Sequence, residues 1–247
     1  MLVNRLKLNK DKTWTTSDLC CIYLYQLFKK SLSSVRPSAP AHKARNIGVT
    51  FDNRFLFNDR IASICKSSFY HLRNISYIRK YLSSTTTDIL VHAFVSSKLD
   101  YCNSLLYGLP NYQVKKLQHV QNAAARLISL SRKHEHITPI LLNLHWLPIH
   151  YRIVFKILLI TYKALNNLAP LYIRELLTPY VPARQLRSSS KNLLVIPHFN
   201  LKTYGARSFS VAAPTLWNTL PSDITNSSSV SVFKNKLKTF LFKKAFL

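Results

Sequence analysis

Two long helical patterns occupy the middle of the chain and are separated by the break Gly108-Leu109-Pro110-Asn111. Glycine commonly follows the last turn of a helix, and proline suits the first turn because its missing amide proton is not needed there. The break therefore predicts that a helix over 85–107 ends here and that a second helix over 112–131 begins. Thr85-x-x-Asp88 is the expected capping signal of the first helix.

The same helical period recurs on both sides of this pair. Between residues 58 and 82, apolar side chains recur at spacings that fall on one helix face at about 100° per residue. These side chains are Ile61, Ile64, Leu72, Ile75 and Leu82. The period continues over 149–166 and 230–245, whereas residues 178–230 are rich in proline. We therefore expect a mainly α fold, a helical bundle followed by a loop-rich helical C-terminal region.

A small β element is expected near 46–57. Ile47 to Asp52 is a strand-like run, and Gly48 inside it indicates a close backbone approach. Residues 31–45 carry two prolines and many small polar side chains, which is typical of a linker. These features divide the chain into residues 1–45, a helical domain over 46–148 and a basic helical region over 149–247.

The charge of the chain is the strongest indication of its partner. Against 35 Lys and Arg residues stand 9 Asp and Glu residues, which gives a net charge of +26. Such self-repulsion is relieved by binding a polyanion, so nucleic acid, as RNA, DNA or an RNA–DNA hybrid, is the expected partner. No small-molecule substrate and no cofactor are expected, because the chain has no Gly-rich phosphate loop.

The cysteines and the hydropathy predict an intracellular protein, nuclear or cytoplasmic, without a transmembrane segment. The four cysteines are too few and too scattered for a disulfide framework. No uninterrupted apolar run reaches the roughly 18 residues of a membrane-spanning helix. The run from Leu19 to Phe28 has the size of a signal peptide, but no small-residue cleavage site follows it.

The polar face of the helix over 58–82 is the main candidate site. Cations and tyrosines alternate along it at Lys66, Tyr70, Arg73, Tyr77 and Lys80. Spacing alone favours a solvated surface with snorkelling lysines. The net charge favours a nucleic-acid face, in which cations meet phosphates and phenol rings meet sugars or bases.

A second polar stripe follows the helix over 112–131. It contains Lys115, His119, Asn122 and Arg126, of which Lys115 and Arg126 are predicted nucleic-acid contacts. Asp100, in the preceding helix, is interpreted as a salt-bridge or capping partner. Arg152, Lys156 and Lys163 form the charged stripe of the otherwise apolar helix over 149–166, which we therefore expect to be central to the second half of the chain.

The histidines do not predict a metal site. His134, His136, His145 and His150 have spacings that match no standard zinc pattern, and H-E-x-x-H is absent. An exposed polar loop accounts for them without a metal. No catalytic residue is predicted either, since the acidic residues are dispersed and no Asp-Asp pair or Y-x-D-D is present.

Several unusual words, in order, resemble the C-terminal part of reverse transcriptases from non-LTR retrotransposons of the jockey-like group. The resemblance begins near Arg45 and extends to the end of the chain. Its words are NIGVTFDNRFLFNDRI, KSSFYHLRNISYIRKYL, SKLDYCNSLLYGLP, LQHVQNAAARLI, HITPILLNLHWLPIHYRIVFKILLITYKAL, YGARSFSVAAPTLWNTLP and FKNKLKTFLF. It implies that Ile47 to Asp52 lies in the primer-grip region and that residues 58–131 are thumb helices.

The same resemblance extends weakly to residues 1–13. Leu8-Asn9 and Lys12-Thr13 stand where the family has the Leu-Asn and Lys-Thr of its last palm motif. Lys12 would there serve nucleotide positioning or proton donation in an intact palm. Residues 14–43 depart from the family pattern, which puts a native palm in doubt, because an acidic residue usually follows Lys-Thr and Trp14 stands there instead.

Three hypotheses follow, in this order. The first is a reverse-transcriptase fragment that binds nucleic acid through thumb helices and has no activity alone. Nucleotide addition needs clustered carboxylates that hold two Mg²⁺ ions, and these residues contain none. The second is a polymerase that acts together with a separate palm. The third is a basic helical interaction protein with no nucleic-acid role.

Overall fold

A computed structural model of the protein describes residues 43–52, 54–182, 192–201 and 204–247. The predicted palm remnant with Lys12, and most of the predicted linker, lie outside these residues. The fold is mainly α with one small antiparallel strand pair, which confirms the predicted fold class.

The strand pair is a hairpin at the start of the described chain. β1 (Lys43–Asn46) pairs with β2 (Val49–Asp52) across a two-residue turn, Ile47-Gly48. Both turn residues have positive φ, 47° and 71°, as a type I′ hairpin turn requires. The placement of Gly48 inside a strand was therefore wrong, since this glycine forms the turn. The linker prediction was also wrong for residues 43–45, which belong to β1.

The longest helix follows the hairpin. α1 (Asn58–Ile78) continues into a 3₁₀ turn (Arg79–Tyr81), as the period over 58–82 predicted. The Asp52 carboxylate prepares its start by accepting the amide protons of Leu56 and Phe57 at 3.2 and 3.3 Å. Ile61, Leu72 and Ile75 are buried, so the apolar face is the packed face.

The predicted helix over 85–107 is instead a broken segment. α2 (Ser84–Val91), a π-helical turn (His92–Ser96) and α3 (Ser97–Asp100) follow one another, and the chain then becomes extended at Tyr101. A 3₁₀ turn (Asn103–Leu106) ends the segment. The capping prediction was also wrong, because the hydroxyl of Ser83, not of Thr85, accepts the Thr86 amide proton.

The second predicted helix is present as α4 (Asn111–Ser129), with Pro110 just before its first turn. α4 runs parallel to α1, because contacts join the helices start to start and end to end. Gln113 Nε2 donates to the Asn58 carboxamide near both starts. Near both ends, Arg79 donates to the carbonyl oxygens of Leu127 and Ile128, each at 3.1 Å.

Short α5 (Ile137–Asn143) leads into α6 (Ile149–Leu165), which is central as predicted. α6 packs against α4, the 3₁₀ turn at 103–106 and later helices. Two glutamines of α4 fix its start: Gln118 Oε1 accepts from the Ile149 amide at 2.9 Å, and Gln121 Nε2 donates to the Leu147 carbonyl at 2.8 Å.

The described part of the C-terminal region adds four more helices with loops between them. These are α7 (Leu171–Arg174), α8 (Phe209–Trp217), α9 (Ser222–Thr225) and α10 (Val230–Phe246). The rings of Tyr162 and Phe233 stack at 4.1 Å between centroids, and Trp217 joins them at 6.0 Å. One hydrophobic cluster of buried residues thus runs from Val49 to Leu241.

Candidate nucleic-acid interface

The predicted stripe of α1 lies on the protein surface. Tyr70 and Tyr77 are 61% and 71% exposed, and the cations on either side of them are exposed as well. Lys80 lies in the 3₁₀ turn that extends the helix, with Nζ 4.8 Å from the ring centroid of Tyr81. We call Lys66, Tyr70, Arg73, Tyr77 and Lys80 the α1 face.

The surroundings of the α1 face are electropositive. No acidic residue occurs between positions 60 and 87, and Asp59 in the first turn of α1 pairs with Lys43 at 2.6 Å. Within the described ranges, no carboxylate lies within salt-bridge distance of Lys66, Arg73 or Lys80. The charges of this face are therefore neutralised by solvent ions, which a polyanion can replace.

Helix α4 extends this positive surface. It contains no acidic residue between Asn111 and Ser129. Burial raises the pKa of the Cys65 thiol on α1, and the positive charge of Lys116 on α4 opposes that rise. The predicted residue Lys115 is exposed too and lies about 100° from Lys116 around α4.

Two members of this surface, Lys116 and Tyr112, were not predicted from the sequence. Lys116 Nζ lies 5.7 Å from the ring centroid of Tyr112, which is 55% exposed. The pair is spaced i, i+4 on α4, a spacing that places side chains next to each other on a helix. That spacing was the available signal, because it repeats the alternation of cation and tyrosine seen on α1.

Arg126 is less available than predicted for a phosphate contact. Its side chain is half-buried, and its guanidinium donates to the carbonyl oxygen of Glu135 at 3.2 Å. The loop after α4 is thereby tied to the helix. Arg126 thus has a structural partner, whereas Lys115 extends into solvent.

Several other arginines hold the fold together. Arg79 is 9% exposed and donates to three backbone carbonyls. Arg207 donates to the carbonyls of Tyr107 and Phe55, both at 3.0 Å, and so joins the C-terminal region to the entry of α1. Gly108 permits this, since a Cβ there would lie 2.5 Å from Cγ of Arg207.

Asp100 also helps to hold the fold together. Its carboxylate accepts from Arg152 Nη1 at 2.9 Å, which confirms its interpretation as a salt-bridge partner. Arg152 also donates to the Leu147 carbonyl at 3.0 Å and lies over the ring of Trp146. The unusual words LDYCNS and LHWLP therefore meet at one packing junction, where they set the geometry between α3 and α6.

No group of three or more His, Cys, Asp or Glu residues in the described ranges is placed to hold a metal ion. Of the four candidate histidines, His145 packs near Phe242 and His150 near Tyr151. Among the helices of the described chain, none combines the length and apolarity needed to cross a membrane.

Positive charge and exposed aromatic rings thus dominate this surface. Cations and exposed rings alternate on two parallel helices, and Asp59, the described acidic residue nearest to the α1 face in sequence, pairs with Lys43. Comparison with protein-family models, with curated proteins and with solved structures gives no match to this chain.

Proposed function

We propose that this chain binds nucleic acid through the α1 face, as the thumb and C-terminal region of a non-LTR retrotransposon reverse transcriptase. The proposal rests on the resemblance of residues 45–247 to that family. The observation that carries it furthest is the exposure of all five predicted side chains along α1 and the 3₁₀ turn that follows it, in a stretch from 60 to 87 that lacks acidic residues. RNA, DNA and hybrid duplexes all present the phosphates that such a face would contact.

The proposed role is binding, without polymerisation by these residues alone. Nucleotide addition requires carboxylates close enough to hold two metal ions. The described acidic residues are instead scattered over the fold, and both Asp59 and Asp100 are paired with cations. If this chain acted in a polymerase together with a separate palm, that second chain would have to supply the metal-binding carboxylates.

The salt dependence of binding tests the proposal. Replacing Lys66, Arg73 and Lys80 together with glutamine should flatten the slope of log K against log salt by about two to three units, if each contacts one phosphate. Filter binding of a primer–template duplex across a salt series measures the slope. The matched control replaces Lys234, Lys238 and Lys243, three exposed lysines of α10, with glutamine.

The tyrosines should behave differently. Changing Tyr70 and Tyr77 to leucine should weaken binding by about 1–3 kcal/mol per ring that stacks, with the salt slope nearly intact, since no charge is removed. Equal losses in the α1 and α10 variants would show that the net charge alone drives binding. No binding of the unaltered chain would favour a basic interaction protein with no nucleic-acid role.

A further inference from the structure

A ring cluster lies on the flank of α1 that faces the π-helical turn. The rings of His71 and Phe94 stack with their centroids 5.1 Å apart and 19° between their planes. Tyr70 meets the edge of His71 at 5.4 Å. We call Tyr70, His71 and Phe94 the ring cluster.

The π-helical turn gives Phe94 its position. Turns of this kind insert one residue into a helix and are frequent at functional sites. Phe94 remains 43% exposed although His71 stacks on it, so a large part of an apolar ring faces solvent. Phe94 was not predicted as a site residue, either from the helical periodicity or from the resemblance to reverse transcriptases.

The cluster carries a cation at its edge. Lys98 Nζ donates to the hydroxyl of Ser67, one turn before His71 on α1. Lys98 is close enough to His71 for its charge to help lower the pKa of the imidazole, although burial of the ring is the larger cause. An exposed ring, a stacked imidazole and an ammonium group therefore meet within two turns of helix.

We propose that the ring cluster is a stacking site for an unpaired nucleobase in a single-stranded segment of nucleic acid. The proposal rests on the proposed function, because Tyr70 belongs both to the ring cluster and to the α1 face. Only an unpaired, unstacked base can offer its π-face to such a platform, and every base has one, so the contact is independent of sequence. Lys98 would meet the adjoining phosphate.

The charge of the surroundings favours this occupant over an apolar protein segment. Tyr70 and His71 lie within a run of residues without acidic side chains, from 60 to 87. Asp88, the next acidic residue, lies 3.4 Å from Nε2 of His92. The ring of His92 in turn meets that of Trp146, with the centroids 5.4 Å apart.

A fluorescent base tests the proposal. The full chain is titrated onto a duplex with a short single-stranded overhang whose first unpaired base is 2-aminopurine, and onto the blunt duplex of the same sequence. We expect binding to quench the 2-aminopurine. We also expect Phe94→Leu to abolish the quench and to reduce the affinity advantage of the overhang by about 5- to 150-fold. Phe94→Trp should keep both.

Controls separate this proposal from the proposed function. Affinity for the blunt duplex should stay within about twofold in every Phe94 variant, because paired bases have no free face. An unchanged quench in Phe94→Leu, or an equal loss on both duplexes, would overturn the stacking site. If the unaltered chain binds neither duplex, the proposed function fails. The stacking site is then tested separately by titrating a 2-aminopurine single strand, on which an absent quench overturns it.

Folding of the variants is checked by thermal unfolding. Phe94→Met replaces Phe94→Leu if the leucine variant unfolds early, since methionine keeps the bulk of the side chain without an aromatic face. Tyr180→Leu in the C-terminal region is the matched control for loss of an exposed ring outside the cluster and the α1 face, since Tyr180 is 48% exposed. It should leave the 2-aminopurine quench intact.

Discussion

Replacing Arg79 with methionine should destabilise the protein by about 3 kcal/mol, chiefly by uncapping α4. Arg79 lies on the 3₁₀ turn after α1 and is 9% exposed. Its guanidinium donates to the carbonyls of Leu127 and Ile128 in the last turn of α4, and to that of Leu82 at 2.8 Å. The last carbonyls of a helix have no partner within it, and a cation there also offsets the negative end of the helix dipole.

The magnitude follows from the burial of each bond. The bond to Ile128 is buried, so its carbonyl would lose its partner outright, at a cost of about 1–3 kcal/mol. The carbonyls of Leu127 and Leu82 are in partly buried bonds and would regain water, so together they should contribute about 1 kcal/mol. Loss of the charge–dipole interaction adds about 0.5 kcal/mol.

Urea unfolding followed by circular dichroism measures this loss as a shift of the midpoint by about 1 M. Lys80→Met is the control, because Lys80 is the next residue and is exposed; its effect should stay within about 0.5 kcal/mol. A loss below about 1 kcal/mol for Arg79→Met, or equal losses for the two variants, would refute the assignment of Arg79 as the cap of α4.

Three further outcomes are expected. Leu130 follows α4 with φ 55° and is 69% exposed, so Leu130→Gly should stabilise by about 0.5–1 kcal/mol in the same urea assay. A double-mutant cycle on Asp100 and Arg152 should give a coupling of only about 0.5–1 kcal/mol, because the Asp100 side chain is 46% exposed; a coupling near zero would contradict the junction. Burial, with the charge of Lys98, lowers the pKa of His71 below 6.5, so the folded state resists protonation and stability should fall as the pH drops below about 6.5; an NMR titration midpoint above 6.5 would contradict this.

The four longest helices of the described chain could be predicted because their packing repeats along the chain. α1, α4, α6 and α10 each place buried apolar residues at helical spacing, and each begins within a residue or two of the predicted start. This signal is local, since it needs only the period of one helix against one apolar surface. The hairpin turn was missed because isoleucine at positive φ is not a turn signal.

The segment over 84–106 could not be predicted because contacts distant in sequence shape it. Arg60 on α1 donates to the Tyr101 carbonyl at 2.5 Å, and the Tyr101 hydroxyl donates to the Ile47 carbonyl at 2.6 Å. Arg152 holds Asp100 from α6. These bonds favour an extended Tyr101 and a left-handed Cys102, with φ 50°, where the apolar period alone favours continued helix.

The candidate site, like the fold, could be predicted only in part from the sequence. The order of Lys66, Tyr70, Arg73 and Tyr77 along one helix face follows from the period, and their exposure agrees with it. The period does not reveal that α4 runs parallel to α1, so the contribution of Lys116 required the structure. The ring cluster depends on a π-helical turn, which has no comparable sequence signature.

The cations of the chain differ in what they contact, and this difference should determine how the net charge of +26 acts in binding. Among the described residues, arginines that donate to backbone carbonyls are Arg60, Arg79, Arg126, Arg152 and Arg207. The fixed fork of guanidinium donors suits such multiple bonds, whereas the flexible ammonium of lysine suits an exposed point charge. A cation that is bonded within the fold does not displace counterions from a phosphate backbone. The slope of log K against log salt should therefore reflect the exposed cations and not the total charge. On the proposed binding surface, lysines and tyrosines therefore predominate, and Arg73 is the exposed arginine of α1.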